Sequence, residues 1–344
     1  MFKIDQDYLL DFSKKVLNID SPSSYTSNVI SFLKNEVNKL GYSAYVTRSG
    51  SLAVEVEGED NSHVTGFCAH VDTLGLMVRS IKDKGTLAIT KIGGPILATL
   101  DGEYCRVYTR DNKVYTGTIL SVSPSAHVFK DARNLEREED TMEIRLDEVV
   151  YSKSEVEKLG IQNGDIIAIE PKYTLTDSGF IKSRFLDDKI SSSALMTVLK
   201  YYKDNNIKPR NSLKILFSTF EEVGHGSSYI PEDIEELIAV DMGCVGLDLS
   251  CSEQDVSICA KDSSGPYNYE ITSRLIELAK TNNLRYAIDI YPQYSSDVSA
   301  ALKGGNNIKG ALIGPGVAAS HGMERTHLDG VINTIKLILL YTLD

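Results

Sequence analysis

Two runs near the start of the chain carry apolar residues at the three-to-four-residue spacing of one helix face. They are residues 5–17 and 24–40, the second with Val29, Ile30, Leu33 and Val37 on one stripe and Gly41 placed to stop it. The texture then turns extended: residues 44–47, 52–56 and 64–69 predict strands separated by glycine or polar turns. From residue 76 to about 173 no convincing helix period follows. Short β-like pieces at 76–81, 86–92, 105–108, 114–120, 143–146 and 165–170 alternate with turn signals such as Lys84-Gly85, Gly93-Gly94-Pro95 and Asn163-Gly164. That texture predicts a small all-β barrel or sandwich. The charge-rich run 130–140 within it predicts a solvated loop and carries no assigned chemistry.

Helix–strand alternation returns at residue 174. Helices are expected at 188–203, 267–283, 297–302 and 327–341, and strands between them at 213–219, 237–240, 256–260, 286–290 and 310–313. The expected architecture is therefore α/β: a three-layer αβα catalytic domain with a mixed sheet, made of residues 1–75 and 174–344. A β-rich, barrel-like domain is inserted at 76–173.

Composition narrows the partners. With 344 residues, 42% of them apolar, the chain can bury a large core and is long enough for two domains. Its 36 basic and 48 acidic residues give a net charge of −12, which argues against a nucleic-acid or anionic membrane partner and suits an acidic cleft for a cation. No apolar stretch approaches the roughly 20 residues that span a bilayer, and the first residues lack the layout of a secretory signal, so a cytoplasmic protein is expected. Cys68, Cys105, Cys244, Cys251 and Cys259 are odd in number and form no C-x-x-C pair, which suggests neither a disulfide framework nor a thiolate zinc site.

Candidate chemistry lies where the apolar runs end. The run 64–69 stops at His70-Val71-Asp72, and residues just past the carboxyl end of a strand in an α/β sheet line the ligand crevice. The two-residue spacing of His70 and Asp72 lets the carboxylate orient the imidazole on one side of an extended backbone. Further on, one run ends in Glu221-Glu222-Val223-Gly224, another in Asp241-Met242-Gly243, a third leads into Asp187-Asp188, and a fourth into Ser320-His321-Gly322. Each alone has an ordinary explanation: a helix cap for Asp188, a solvated turn for Glu221-Glu222, a loop residue for His321. Converging at one sheet edge, however, these carboxylates would repel one another unless a cation compensated them. Two His and no thiolates suit a pair of zinc, cobalt or manganese ions.

The ordered motifs AHVDTLG, FLDDK, EEVG, AVDMG and SHGMERTH resemble the tetrahedral or glutamyl-type aminopeptidases, dinuclear metallo-exopeptidases of which some members carry the label endoglucanase. The resemblance runs essentially end to end and includes the β-rich insertion. It implies that Asp187 bridges two metal ions, with His70 and Asp241 at one and Glu222 and His321 at the other. It further implies that Asp72 orients His70, that Glu221 is the general base, and that the Asp187–Asp188 peptide is cis. Short peptides are the implied substrates, and dimers building a hollow twelve-subunit shell the implied assembly. Two positions depart from the family pattern: Thr73 stands where an acidic residue is usual, and no Ser-Pro follows His321. Both His321 and His327 therefore stand as candidates for the last ligand. His321 is preferred because it directly follows a strand and turn, whereas His327 falls where the final helix begins. Asp297 reads as a helix N-cap, and His225 as either a substrate contact or a solvated loop residue.

Three other classes compete. An N-acyl amino acid deacylase would keep the metals but add a basic group for the substrate carboxylate. A glycosidase would set two carboxylates about 5–10 Å apart with no metal between them, and a non-catalytic assembly protein would fold without metal or turnover.

Overall fold

A computed structural model describes residues 2–344 of the chain. The helical stripe at the start folds as two helices, Gln6–Leu17 and Ser27–Leu40, the first capped by the Asp5 side chain and the second stopped by Gly41 in the left-handed conformation. The second lays its apolar stripe on strands Ser43–Val46 and Leu52–Val56 of a ten-stranded mixed sheet, and the first packs on helix Leu186–Asn205 beside it.

At the centre of that sheet, strands Asn211–Ser218, Asp60–His70, Glu236–Val240 and Lys309–Val317 lie side by side and parallel. Alternation along each strand divides the apolar residues between two faces. Phe67, Ala69, Ile215, Phe217, Ile238 and Val240 face one core, which helices Leu186–Asn205 and Leu328–Leu343 cover along with the first two. Cys68, Leu216, Leu237, Ala239 and Leu312 face a smaller core under helix Asp297–Lys303 and residues such as Ile230, Tyr267 and Tyr291. The result is the three-layer α/β architecture expected from the pattern. Because the four strands run parallel, their carboxyl ends meet at one edge.

Six antiparallel strands between Gly75 and Ile169 close into a barrel, in the order Gly75–Ile81, Leu87–Ile92, Met142–Leu146, Val114–Ser121, Tyr104–Tyr108 and Ile166–Ile169. Its interior is filled by alternating residues such as Leu76, Val78, Leu87, Ile89, Ile119, Ile144 and Ile167. Arg106 on the barrel wall is held by the carboxylates of Asp20 and Glu170, which ties the barrel to the loop after the first helix.

Several short elements carry no readable period. Helix Lys153–Leu159 sits inside the β-rich stretch, capped by Ser152. Strands Thr174–Leu175, Phe180–Ser183 and Glu324–His327 form a separate three-stranded sheet, in which Ser183 pairs with Glu324. The run 130–140 is irregular, yet Arg137 pairs with Asp101 and Glu139 accepts the Lys91 amide, so it is anchored to the barrel. The cap assigned to Asp297 belongs to Ser296, which forms a capping box with Ser299.

One glycine controls the sheet edge. A Cβ at Gly314 would sit 1.5 Å from the main-chain oxygen of Asp241, just past the end of the neighbouring strand. We expect Gly314→Ala to destabilise the fold by about 3 kcal/mol. A urea midpoint unchanged from wild type would refute this.

Candidate metal centre

The four strand ends deliver their acidic and imidazole groups to one pocket. His70 ends its strand fully buried, and its Nδ1 lies 2.9 Å from the main-chain oxygen of Asp72. A carbonyl only accepts, so Nδ1 carries a hydrogen and Nε2 is the nitrogen left to face the cluster. Nε2 faces Asp187 Oδ1 at 3.0 Å and Glu221 Oε2 at 3.7 Å. His321 is built the same way from another loop: Nδ1 donates to the Gly94 carbonyl at 3.0 Å, and Nε2 faces Asp187 Oδ2 at 3.7 Å and Glu222 Oε2 at 3.6 Å. The two oxygens of Asp187 thus look toward two different imidazoles. Two overlapping groups have potential ligand atoms all within 4.8 Å of one another, His70 with Asp187 and Glu222, and His70 with Asp188 and Asp241.

Local backbone sets these directions. The Asp187–Asp188 peptide is cis, and Phe185, Phe220 and His321 adopt positive φ of 67°, 70° and 64°. Such values are uncommon outside glycine and tend to gather at functional sites. Phe185 and Phe220 immediately precede the segments bearing Asp187-Asp188 and Glu221-Glu222.

Asp72 meets His70 chiefly through its main chain. Its main-chain oxygen, rather than its carboxylate, takes the close contact with His70; the nearer carboxylate oxygen is 3.6 Å from Nδ1. The carboxylate instead accepts the amides of Glu221 and Glu222 at 3.1 and 3.3 Å and the Ser23 hydroxyl at 2.6 Å. It therefore fixes the turn Glu221–Val223 as well as standing beside the ring. The alternation rule fails here because Val71 and Asp72 lie beyond the regular strand.

Glu324 is a support that sequence reasoning missed. Only 2% exposed, it accepts the Asp187 amide on Oε2 at 3.1 Å and the His321 amide on Oε1 at 3.0 Å. One side chain thereby spans the two segments. The signal available was its place in SHGMERTH, three residues after His321, but nothing in the spacing says that it turns inward. Buried Arg184 braces the same loop, donating to the carbonyls of Gly322 and Thr99.

The remaining candidates fall away from the pocket. His327 caps the final helix by accepting the Asp329 amide and donates to the Ser178 carbonyl. His225 is exposed and stacks on Phe220 at 5.0 Å. Asp297, although not a cap, is buried beneath the sheet edge and accepts from the Ser218 hydroxyl.

Electrostatics test whether a cation suits the site. Burial, reinforced by the neighbouring Asp187, pushes the Asp241 carboxyl up to about 7. Burial likewise raises Glu221, Glu222 and Asp188 well above the usual carboxylate range, with other acids of the cluster adding to it. Asp187 goes the other way: burial opposes its ionisation, but the hydrogen bond from His70 and the charges of His70 and His321 together outweigh burial and lower its pKa. Burial also opposes a charge on His70, yet Asp187, Glu221 and Asp72 outweigh it and raise that pKa well above the ordinary value. Two acid oxygens here, Glu222 Oε1 and Asp188 Oδ1, are buried without a hydrogen-bond partner. Crowded acids, orphaned oxygens and two imidazoles whose Nε2 atoms face the acids, and would ligate once a cation displaced the proton, together fit divalent cations.

Comparison with known proteins agrees. The chain belongs to the M42 glutamyl aminopeptidase family, whose sequence profile matches residues 50–337. It is accordingly a hydrolase of the aminopeptidase type. YhfE of Bacillus subtilis (strain 168), provisionally named an aminopeptidase, is 42% identical over 333 residues, 96% of each chain. The fold is shared with the TET aminopeptidase of the marine sediment archaeon Thaumarchaeota archaeon SCGC AB-539-E09, at TM-score 0.87 and 19% identity over 97% of this chain and 96% of the other. It is also shared with the TET1 peptidase of Pyrococcus horikoshii, at TM-score 0.85 and 22% identity over 98% and 99%, a protein described as able to assemble into a tetrahedron or a large octahedral shell.

Glu324→Gln should destabilise the protein by about 1–3 kcal/mol, because the amide nitrogen would confront one of the two main-chain N–H groups. Thermal unfolding of the metal-stripped protein measures this. An unchanged midpoint would mean that the two hydrogen bonds contribute nothing.

Proposed function

We propose that the protein is a dinuclear metal-dependent aminopeptidase that removes the first residue of short peptides. The observation that carries this reading is the paired imidazoles: each is tied by Nδ1–H to a main-chain carbonyl and aims Nε2 at a different oxygen of Asp187. In this reading Asp187 bridges two ions, His70 and Asp241 complete one site, and Glu222 and His321 complete the other. Zinc or cobalt suits the nitrogen and carboxylate donors best, with manganese next. Such cations would polarise the scissile carbonyl and make an attacking water acidic at neutral pH.

Glu221, with 14% of its side chain exposed at the pocket wall, is the group we assign as general base. It takes the water proton and passes it to the leaving amine. Asp72 holds the Glu221 amide and so sets where that carboxylate points. The acidic cluster also receives the substrate's terminal ammonium, which restricts cleavage to the first peptide bond. A deacylase acting on N-acyl amino acids fits less well, since among the described residues no Lys or Arg lines the pocket to meet a substrate carboxylate.

The same reading extends to setting and assembly as proposals. We propose a cytoplasmic enzyme, on the strength of five unpaired cysteines, four of them buried. We also propose that the β-rich segment 76–173 acts as a separate domain making contacts between subunits, in a homo-oligomer built from dimers toward a twelve-subunit shell. The assemblies described for the Pyrococcus horikoshii protein support this.

Two neighbouring substitutions separate the roles. Glu221→Gln should lower turnover about 10²–10⁴-fold with both metals retained in elemental analysis. Glu222→Gln should lose one ion and regain part of its activity in excess zinc or cobalt. Near-normal turnover of Glu221→Gln at full occupancy, or its rescue by metal, would remove Glu221 as the base. Chelation should abolish wild-type peptide hydrolysis, and readdition of zinc or cobalt should restore it; chelator-insensitive hydrolysis would refute a metal-dependent reaction.

A further inference from the structure

Beyond the metal-facing groups, the pocket has a second wall. The cavity, of about 450 Å³, is lined in part by Asp187, Glu221, Glu222, Asp241 and His321. The same lining includes Ile96, Met242, Cys244, Gln293 and Tyr294 with small neighbours, and the Tyr294 hydroxyl lies beside the Asp241 carboxylate. None of these five is ionised at neutral pH. Met242 is buried at 3% exposure and packs into the main core, so its place on the wall is fixed from behind. Tyr294 is fixed too: its hydroxyl donates to the Met242 carbonyl at 3.3 Å and its ring packs on Tyr291 at 5.2 Å. The Tyr294 hydroxyl therefore already has a partner. Ile96, from the segment that closes over the His321 loop, offers an apolar group at the mouth.

From this lining we infer that the enzyme selects peptides whose first residue has an uncharged, medium-sized side chain such as leucine or methionine, and discriminates against acidic and basic first residues. The inference rests on the aminopeptidase reading above. The substrate's ammonium and scissile carbonyl belong at the acidic, metal-facing side, which leaves the first side chain to the neutral wall. A glutamate or aspartate placed there would bring a carboxylate into a cavity already rich in acids, with no Lys or Arg among the described residues lining it. Desolvating an unpaired charge is unfavourable. A lysine or arginine fares no better, because the acids in the cavity are the ones assigned to ions, terminal ammonium and proton transfer. Leucine and methionine, by contrast, exchange water for Ile96, Met242 and the Tyr294 ring at no electrostatic cost. Specificity of this kind comes from what the wall fails to compensate as much as from what it attracts.

The test uses the full-length protein loaded with zinc or cobalt and aminoacyl p-nitroanilides of leucine, methionine, glutamate and lysine. The kcat/KM for the leucyl and methionyl compounds should exceed that for the glutamyl and lysyl ones by about 100-fold or more. Exposed Gln293 supplies a gain-of-function arm: Gln293→Arg should raise the glutamyl-to-leucyl ratio by about 5-fold, the effect of an exposed ion pair. Wild-type protein that cleaves the glutamyl or lysyl compound as well as the leucyl one would overturn the specificity and leave the aminopeptidase reading intact. So would a Gln293→Arg variant with an unchanged ratio. If metal-loaded protein cleaved none of the four, the aminopeptidase reading would fall and this inference with it.

Discussion

Everything at this site follows from forcing like charges together in a place with little water. Four parallel strands end at one edge, where the segments leaving two of them carry Glu221, Glu222 and Asp241 to meet Asp187 and Asp188, which follow strand Phe180–Ser183 of the small sheet, in a buried cluster whose direct ion-pair partners among the described residues are two histidines. Parallel pairing leaves the chain no choice about where these ends lie, since Ser218 is in register with His70 and Val240 with Ile313. Raised carboxyl pKa values are the symptom of that crowding, and a divalent cation is the simplest remedy.

Holding such groups apart at useful distances requires supports that do not themselves meet the cation. Asp72 accepts two amides of the turn that carries Glu221 and Glu222, while Glu324 accepts the amides of Asp187 and His321. Both are buried carboxylates satisfied by main-chain N–H groups, so each secures a loop through its backbone and leaves that loop's side chains free to turn toward the cavity. The small sheet that pairs Ser183 with Glu324 completes the arrangement by bringing the segment before Asp187 alongside the segment after His321.

The sequence made much of this readable because strand ends are where apolar runs break. His70, Asp241 and Glu221-Glu222 each follow a run long enough to show its character, and a resemblance carried by five ordered motifs extended the reading to Asp187 and His321. What escaped notice had no period to betray it. Strands of two to four residues such as Thr174–Leu175 and Glu324–His327, and the seven-residue helix Lys153–Leu159, are shorter than the windows in which periodicity declares itself. The cap was misplaced by one residue because the stretch Tyr294 to Asp297 holds both serine and aspartate, either of which caps a helix well. Glu324 stands in a polar stretch of the sequence, and only the folded chain shows it facing inward.

The contact between His321 and the barrel has a further meaning. The ring is aimed by the carbonyl of Gly94, and the His321 carbonyl in turn accepts the amide of Ile96, so the two are joined through main chain on the barrel side. A scan that replaces side chains one at a time would pass over this joint, because the atoms it depends on are present in every amino acid. Sequences could drift at residue 94 within steric limits and keep the joint, whereas shortening or lengthening the loop around it by one residue would turn the imidazole away. Length is what this joint has to preserve, alongside the glycine at residue 93, where a Cβ would sit 2.6 Å from Leu74.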